Sequence, residues 1–250
     1  MKRILAVVVI WLVAWCGVAQ AVELDDMTID ELITLRDSVS TRIGEMLKTE
    51  DIQRIGIEGA IPIKEIFPDK AFAKFVRDTL GKISIDQPVT QMELDTITSF
   101  MPAFLSDGDY TDFTGIGRLR NLDDILFGNG RKYVGKTLPD EFYTLTALTR
   151  LDLSGCQIEI ISDLIANLQN LQSLDLSGTK LSEFPSAVCE ISSLKYLDIS
   201  RTNISRLPDN IGSLSALKTL DISRTPISTL PDSIYALTLE KFDKTGTTIE

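Results

Sequence analysis

With 250 residues, 44% of them hydrophobic and only 15 glycines and 9 prolines, the chain has the apolar content of a folded protein and not the profile of a disordered one. It carries 36 acidic against 25 basic residues, a net charge of −11, which opposes attraction to nucleic acid or to an anionic membrane surface. It has no histidine, which removes Ser-His-Asp and Cys-His catalysis, histidine-based zinc sites and the usual general base near neutral pH.

Residues 1–21 read as a secretory signal peptide: a basic start at Lys2 and Arg3, an apolar run from Ile4 to Cys16, and small residues at Ala19 and Ala21 around Gln20. The mature chain is then expected to begin at Val22, with 23 basic residues against the same 36 acidic ones, and to be secreted or associated with the cell envelope. The alternative is an uncleaved anchor, since Ile4 to Ala19 approaches the length that spans a bilayer. No later run is long and apolar enough to cross a membrane, so the mature chain is expected to have no membrane span. Residues 22–60 read as an amphipathic helix and a linker. Leu32, Leu35, Val39, Ile43 and Met46 share one face over Met27 to Lys48, and Thr28 with Glu31 forms a capping box. Asp51 to Ile66, with isoleucines spaced by Gly56, Gly59 and Pro62, suggests a linker or an irregular strand.

Residues 61–115 read as a helical cap. One helical pattern runs through Phe72, Phe75, Val76 and Leu80 to a stop at Gly81; a second is opened by Thr90 and Glu93 as a capping box and ends near Phe100. Asp107 to Asp112 begins like a calcium loop but lacks the turn glycine and closing glutamate, so it reads as a polar connection and no metal is expected.

Residues 116–250 repeat. Leu145, Leu168, Ile191, Leu214 and Leu237 mark a period of 23, and the segments LTALTRLDLSGCQI, LQNLQSLDLSGTKL, ISSLKYLDISRTNI and LSALKTLDISRTPI align without a slip. The last, LTLEKFDKTGTTI, is one residue shorter. The second half recurs as Leu138-Pro139, Leu207-Pro208 and Leu230-Pro231, with Phe184-Pro185 a variant. These are leucine-rich repeats, and a further one opens at Leu119 with three extra residues, about six in all. The expected fold class is α/β: a leucine-rich-repeat solenoid with one short parallel strand per 23-residue repeat, preceded by the helical cap.

Within each repeat, Cys156, Thr179, Thr202, Thr225 and Thr247 hold the position where an inward side chain is expected to bond loop backbone of adjacent turns. Cys156 and Cys189 fall in different phases, and a disulfide needs Cα atoms within about 7 Å, so two free thiols are expected. Asp152, Asp175, Asp198, Asp221 and Asp243 form a column flanked by Ser154, Ser177, Ser200, Ser223 and Thr245, all placed on the concave face by strand alternation. Aspartates about 5 Å apart should raise one another's pKa. Several uses are open: an acidic strip for a basic partner, divalent ions or sugar hydroxyls, a carboxylate pair for glycoside hydrolysis, or Asp and Ser bonding each other across strands. The residues that differ between repeats on this face are Arg150, Ser173, Tyr196, Thr219 and Lys241, with Lys195, Lys218, Arg201 and Arg224 beside them. The candidate partner-binding set is Arg150, Asp152, Asp175, Tyr196, Asp198, Arg201, Thr219, Asp221, Arg224 and Lys241, a mixed-charge surface with the tyrosine and arginines of an interface.

The segments IFPDKAFAKFVRDTLGK, VTQMELDTI and TGIGRLRNLDDI resemble the N-terminal cap and first repeat of the internalins, bacterial surface proteins, over Ile63 to Leu126. The resemblance implies a secreted or wall-associated binding protein that grips its partner on the concave face. The L-P-x-x-I outer half departs from the larger members, so host-cell invasion is not carried over. The expected function is an exported interaction module for a protein partner, with no catalytic site and no cofactor. The alternatives are an adhesin for glycan or cell-wall polymer and a structural envelope component.

Overall fold

The repeating L-x-x-L-x-L segments form short parallel strands in the computed structural model, which describes residues 60–101, 109–127 and 133–249. The expectations for Met1 to Ala21, for the helix at Met27 to Lys48 and for the start of the Asp107 to Asp112 loop fall outside those residues. The chain divides into two units, Met1–Ala60 and Ile61–Glu250, and the described elements all lie in the second. None of its helices is long and apolar enough to cross a membrane.

The second unit opens with an antiparallel pair, β1 (Ile61–Pro62) and β2 (Pro88–Val89), which brackets α1 (Ile63–Ile66) and α2 (Lys70–Thr79). Helix α2 starts where the carboxylate of Asp69 accepts the amide of Phe72 at 2.9 Å, buries Phe72, Ala73, Phe75 and Val76 along one face, and stops at Leu80 before Gly81 at φ 64°. The other oxygen of Asp69 accepts Thr111 Oγ1 at 2.7 Å and the Thr111 amide at 2.9 Å, which ties the helix start to a loop 42 residues on. Burial opposes the charge of Asp69, but the donors from Thr111, Phe72 and Asp112 outweigh it and hold the carboxyl below its ordinary value.

Helix α3 (Gln91–Leu94) has the expected capping box: Thr90 Oγ1 accepts the Glu93 amide and Glu93 accepts the Thr90 amide at 2.8 Å. It lasts one turn and does not reach Phe100. Residues from Thr96 onward extend into β3 (Ser99–Phe100), whose pairing with the first repeat overrides the helical start. That strand drives Phe100 into the middle of an aromatic cluster, 4.6 Å from Phe75, 5.4 Å from Phe72, 5.2 Å from Tyr110 and 5.6 Å from Phe127, in edge-to-face geometry. Gly115 lets the chain pass under this cap: at φ 90°, a Cβ there would sit 2.2 Å from the carbonyl oxygen of Ile66.

From there one sheet runs in order β3-β4-β5-β6-β7-β8-β9, all parallel, with β4 (Asp124–Leu126), β5 (Arg150–Asp152), β6 (Ser173–Asp175), β7 (Tyr196–Asp198), β8 (Thr219–Asp221) and β9 (Lys241–Asp243). Register stacks Ile125, Leu151, Leu174, Leu197 and Leu220, all buried. On the other side of the core the chain returns through 3-10 turns, at Asp140–Thr144, Asp163–Asn167, Ser186–Glu190, Ile211–Ser213 and Asp232–Ala236. Pro139, Pro185 and Pro231 begin three of them, their fixed φ suiting the entry. The fold is a leucine-rich-repeat solenoid with a helical N-terminal region.

The inward threonines act differently from the sequence expectation. Thr179 Oγ1 donates to the carbonyl of Leu176 at 2.7 Å, Thr202 to that of Ile199 at 2.7 Å and Thr225 to that of Ile222 at 2.6 Å, each within its own turn. Backbone makes the link between turns: the amide of Lys180 donates to Ile158 and that of Asn203 to Leu181, both at 2.9 Å. Cys156 and Cys189 are buried and not joined in a disulfide, and burial pushes the Cys189 thiol up to about 12, far from a reactive thiolate at neutral pH.

Leu197→Ala removes a fully buried side chain between Leu174 and Leu220, and denaturant unfolding should show a loss of roughly 2–5 kcal/mol. For Asp69, whose folded pKa is depressed, stabilisation is present above its unfolded value and is lost as pH falls through the folded one. Asp69→Ala should therefore be less stable than the parent chain at pH 7 by about 1–3 kcal/mol, the gap narrowing in acid melts.

Candidate functional site

Alternation along a strand sends the middle residue of β4 to β9 into the core and its two neighbours out on the open face. That face therefore consists of columns, one residue per turn. The first, set by register, is Ser99, Asp124, Arg150, Ser173, Tyr196, Thr219 and Lys241; the second is Leu126, Asp152, Asp175, Asp198, Asp221 and Asp243. Eight of the ten candidate residues lie in these two columns, and Arg201 and Arg224 stand three residues beyond the aspartates of their turns.

The aspartate column is uniform for a local reason. In each of the five turns from β5 to β9 an aspartate oxygen accepts the amide two residues on: Asp152 from Ser154 and Asp198 from Ser200 at 2.8 Å, Asp175 from Ser177 at 2.9 Å, Asp221 from Ser223 at 2.8 Å and Asp243 from Thr245 at 2.9 Å. These are Asx turns that end the strand within its own repeat, and they replace the cross-strand Asp–Ser bonds considered from sequence. The carboxylates nevertheless feel one another. Burial raises the pKa of Asp175, the serine donors oppose it, and the charges of Asp198 and Asp152 on either side raise it further. Asp243, on the exposed last turn, is instead held low, first by the Thr245 amide.

Asp198 is the most enclosed member at 9% exposure, and both its oxygens are engaged, since Tyr196 Oη donates to Oδ2 at 3.0 Å. Burial, then the neighbouring charge of Asp198, raises the phenol pKa and keeps that proton in place. The tyrosine ring is thus fixed on the face by a bond to the acid column, on β7, the fifth of the seven strands. Arg150 is not a free cation: its guanidinium grips Asp124 with Nε to Oδ1 at 2.5 Å and Nη2 to Oδ2 at 2.7 Å. Asp124 and Leu126 extend the face by one turn that the sequence reading omitted, although stepping back 26 residues from Arg150, the offset of the longer repeat, lands on Asp124. Lys195 bonds Gln172 at 2.8 Å and Lys218 faces Glu240 at 3.5 Å; Lys241 and Thr219 present their side chains on the open face.

Arg201 and Arg224 occupy the first loop position beyond the face with φ 56° and 57°, where Gly155, Gly178 and Gly246 have φ 66°, 65° and 79° in the other turns. A left-handed conformation costs an L-residue about 1–2 kcal/mol relative to glycine. Both side chains are exposed. No group of three or more acidic or cysteine side chains among the described residues is arranged to hold a metal ion.

Family models match three stretches: one described as the N-terminal region of bacterial adhesion and invasion proteins over residues 55–95, one for paired leucine-rich repeats over 146–186, and one for a leucine-rich repeat region over 187–240. Among solved structures, the chain is similar to internalin InlF of Listeria monocytogenes, with 25% identity, a TM-score of 0.57, and coverage of 75% of this chain and 59% of that one. It is also similar to a leucine-rich-repeat protein of Leptospira interrogans, with 28% identity, a TM-score of 0.57, and coverage of 64% and 40%. The functional domain of InlJ from Listeria monocytogenes shares the fold at 20% identity and a TM-score of 0.58, over 76% and 44%. The chain spans between two fifths and three fifths of the length of these relatives.

The raised pKa of Asp175 means that its charge opposes folding once pH exceeds the folded value. Asp175→Asn keeps the acceptor for the Ser177 amide and drops the charge, so its melting temperature should exceed the parent's at pH 7. The gap should close as pH falls toward the ordinary carboxylate value of about 3.9; a gap that persists at pH 3 would show that the repulsion is not its origin.

Proposed function

We propose that this internalin-like leucine-rich-repeat chain is an exported interaction module that holds a protein partner on the open face of its sheet. The observation that carries the reading is the contrast between the two columns. The aspartates are the same in five turns because each closes its own strand, whereas the neighbouring column changes at every turn through Asp124, Arg150, Ser173, Tyr196, Thr219 and Lys241. Backbone geometry makes no demand on that column, so its composition is available for recognition. It combines a held tyrosine with cations and hydroxyls, the residue types of a protein interface, and offers a broad surface in place of a deep pocket. Export is supported by the composition of residues 1–21, and adhesion is the description attached to the family model that matches residues 55–95. No catalytic role is assigned: the chain lacks histidine, and one oxygen of each aspartate in the column is held in its own turn.

A photo-cross-linker placed at Ser173 or Thr219, on the open face, should form a protein adduct in the envelope or culture fraction of the source cells. One placed at Ser213 or Asp232, on the outer side, should not. Tyr196→Ala should weaken that capture by about tenfold or more, as expected for an aromatic interface anchor. Adducts formed equally from the outer side would move the interface off this face. Adducts to wall polymer in place of protein would transfer the reading to an adhesin.

A further inference from the structure

We propose that Arg201 and Arg224 form a two-pronged clamp for a pair of carboxylates on an acidic segment of the protein partner, at the rim where the open face passes into the loops. The inference rests on the reading of that face as the binding face and names the partner's chemistry there.

The position is one that the fold fills with glycine when left to itself. Gly155, Gly178 and Gly246 adopt the left-handed conformation freely, while the two adjacent turns between them hold arginine in the same strained backbone. The strain occurs twice in succession, so it is a property of the rim and not of one turn. The amide of Arg201 donates to Ser223 at 2.9 Å and that of Arg224 to Thr245 at 2.8 Å, continuing the strand ladder, which sets the two backbones one strand spacing apart at about 5 Å. Two guanidinium groups anchored that closely repel each other, and an anion between them would relieve both.

Neither guanidinium has an ion pair among the described residues, although an aspartate lies three residues earlier in each turn. Those carboxylates turn back to their own strands: Asp198 accepts from Ser200 and Tyr196, and one oxygen of Asp221 accepts from Ser223. The flanking turns leave the prongs uncovered, because glycine stands on both sides. A Cβ at Gly246 would come into van der Waals contact with Arg224 Cγ at 3.4 Å, whereas the glycine leaves that flank of the side chain open.

The chemistry selects carboxylates in a short segment. A guanidinium offers a planar fork that matches a carboxylate bidentately, as Arg150 already does with Asp124 in this sheet. The chain as a whole is acidic, with a net charge of −11, so a long polyanion such as a sulfated glycan would meet net repulsion beyond this rim.

The test is a heteronuclear NMR titration of the full chain with a Gly-flanked tetraglutamate peptide, following the arginine Nε–H resonances; the matching tetraglutamine peptide and a heparin oligosaccharide are run in parallel. Saturable shifts at Arg201 and Arg224 are expected with the glutamate peptide alone. The double variant R201G/R224G, which installs the glycine of the sibling turns, should melt at the same temperature or higher and bind the peptide about tenfold more weakly or not at all. R201K/R224K should also bind more weakly, since it keeps charge and strain but loses the fork. The proposal is overturned if the glutamate peptide produces no saturable shift, if the glycine variant binds as well as the parent, or if heparin binds more tightly than the peptide. Cross-linking from Ser173 that persists undiminished in R201G/R224G would leave the face reading standing and remove the clamp. Its absence in the parent chain would remove the face reading itself.

Discussion

A 23-residue turn cannot bury its own apolar side, and every other feature of the molecule answers to that. One turn contributes a three-residue strand and a few inward leucines, far too little to hold a conformation alone; stacked in register, Leu151, Leu174, Leu197 and Leu220 become a continuous core. Stacking is possible only if the period is kept, because a shift of one residue would exchange the buried and open faces of a strand. The side chains nearest the turns therefore serve the backbone. Aspartate closes the end of each strand, threonine returns to a carbonyl three residues back, and the links between turns are left to amide and carbonyl groups.

The same constraint explains the two ends of the sheet. The first strand has no preceding leucine turn to lean on, and the cap supplies aromatic rings instead: Phe100 of β3 packs among Phe72, Phe75, Tyr110 and Phe127, and Phe113 carries the contact on to Tyr133 at 4.6 Å. Rings fill the irregular space between a helix and a sheet edge better than the short aliphatic side chains that suffice between identical turns. On β9 the pattern changes in the opposite sense. Lys244 stands where Leu153, Leu176, Ile199 and Ile222 point inward in earlier turns, and Lys241 lies on the strand itself.

The repeats were legible because the period is constant and the inward positions are few and apolar; the register of β5 to β9 is the alignment of the sequence to itself. Helix α2 was legible from Phe72, Phe75, Val76 and Gly81, and the start of α3 from Thr90 and Glu93. What escaped was shorter than any periodicity: β2 and β3 are two residues each, and Ser99–Phe100 joins the sheet because of its position beside β4 and not because of its own pattern, whereas β1 lies within the segment read as a linker or an irregular strand. Bond partners escaped as well. The sequence places aspartates, serines and threonines in columns, but whether a side chain turns to its own strand or to the next depends on distances of an ångström that spacing does not carry. The pairing of Arg150 with Asp124 and the left-handed backbone at Arg201 and Arg224 were in principle readable, the first by extending the repeat offset upstream and the second by noticing that arginine replaces glycine in an otherwise fixed position.

That replacement separates what the fold requires from what it tolerates. Asparagine could accept the amide bond that each aspartate accepts, without the charge that burial and its neighbours oppose at Asp175. Glycine could fill the positions of Arg201 and Arg224 without strain. Charge is therefore carried in the aspartate column and at the Arg201 and Arg224 rim where neutral residues would serve the backbone, negative in the interior of the face and positive at one edge. A surface with zones of opposite sign rewards a partner with the complementary order and penalises one with the reverse, since like charges brought together in a desolvated contact cost several kcal/mol. Discrimination of that kind does not require a deep pocket or a large apolar patch. It requires charges held at fixed spacing, and the strand ladder provides that spacing at each successive turn.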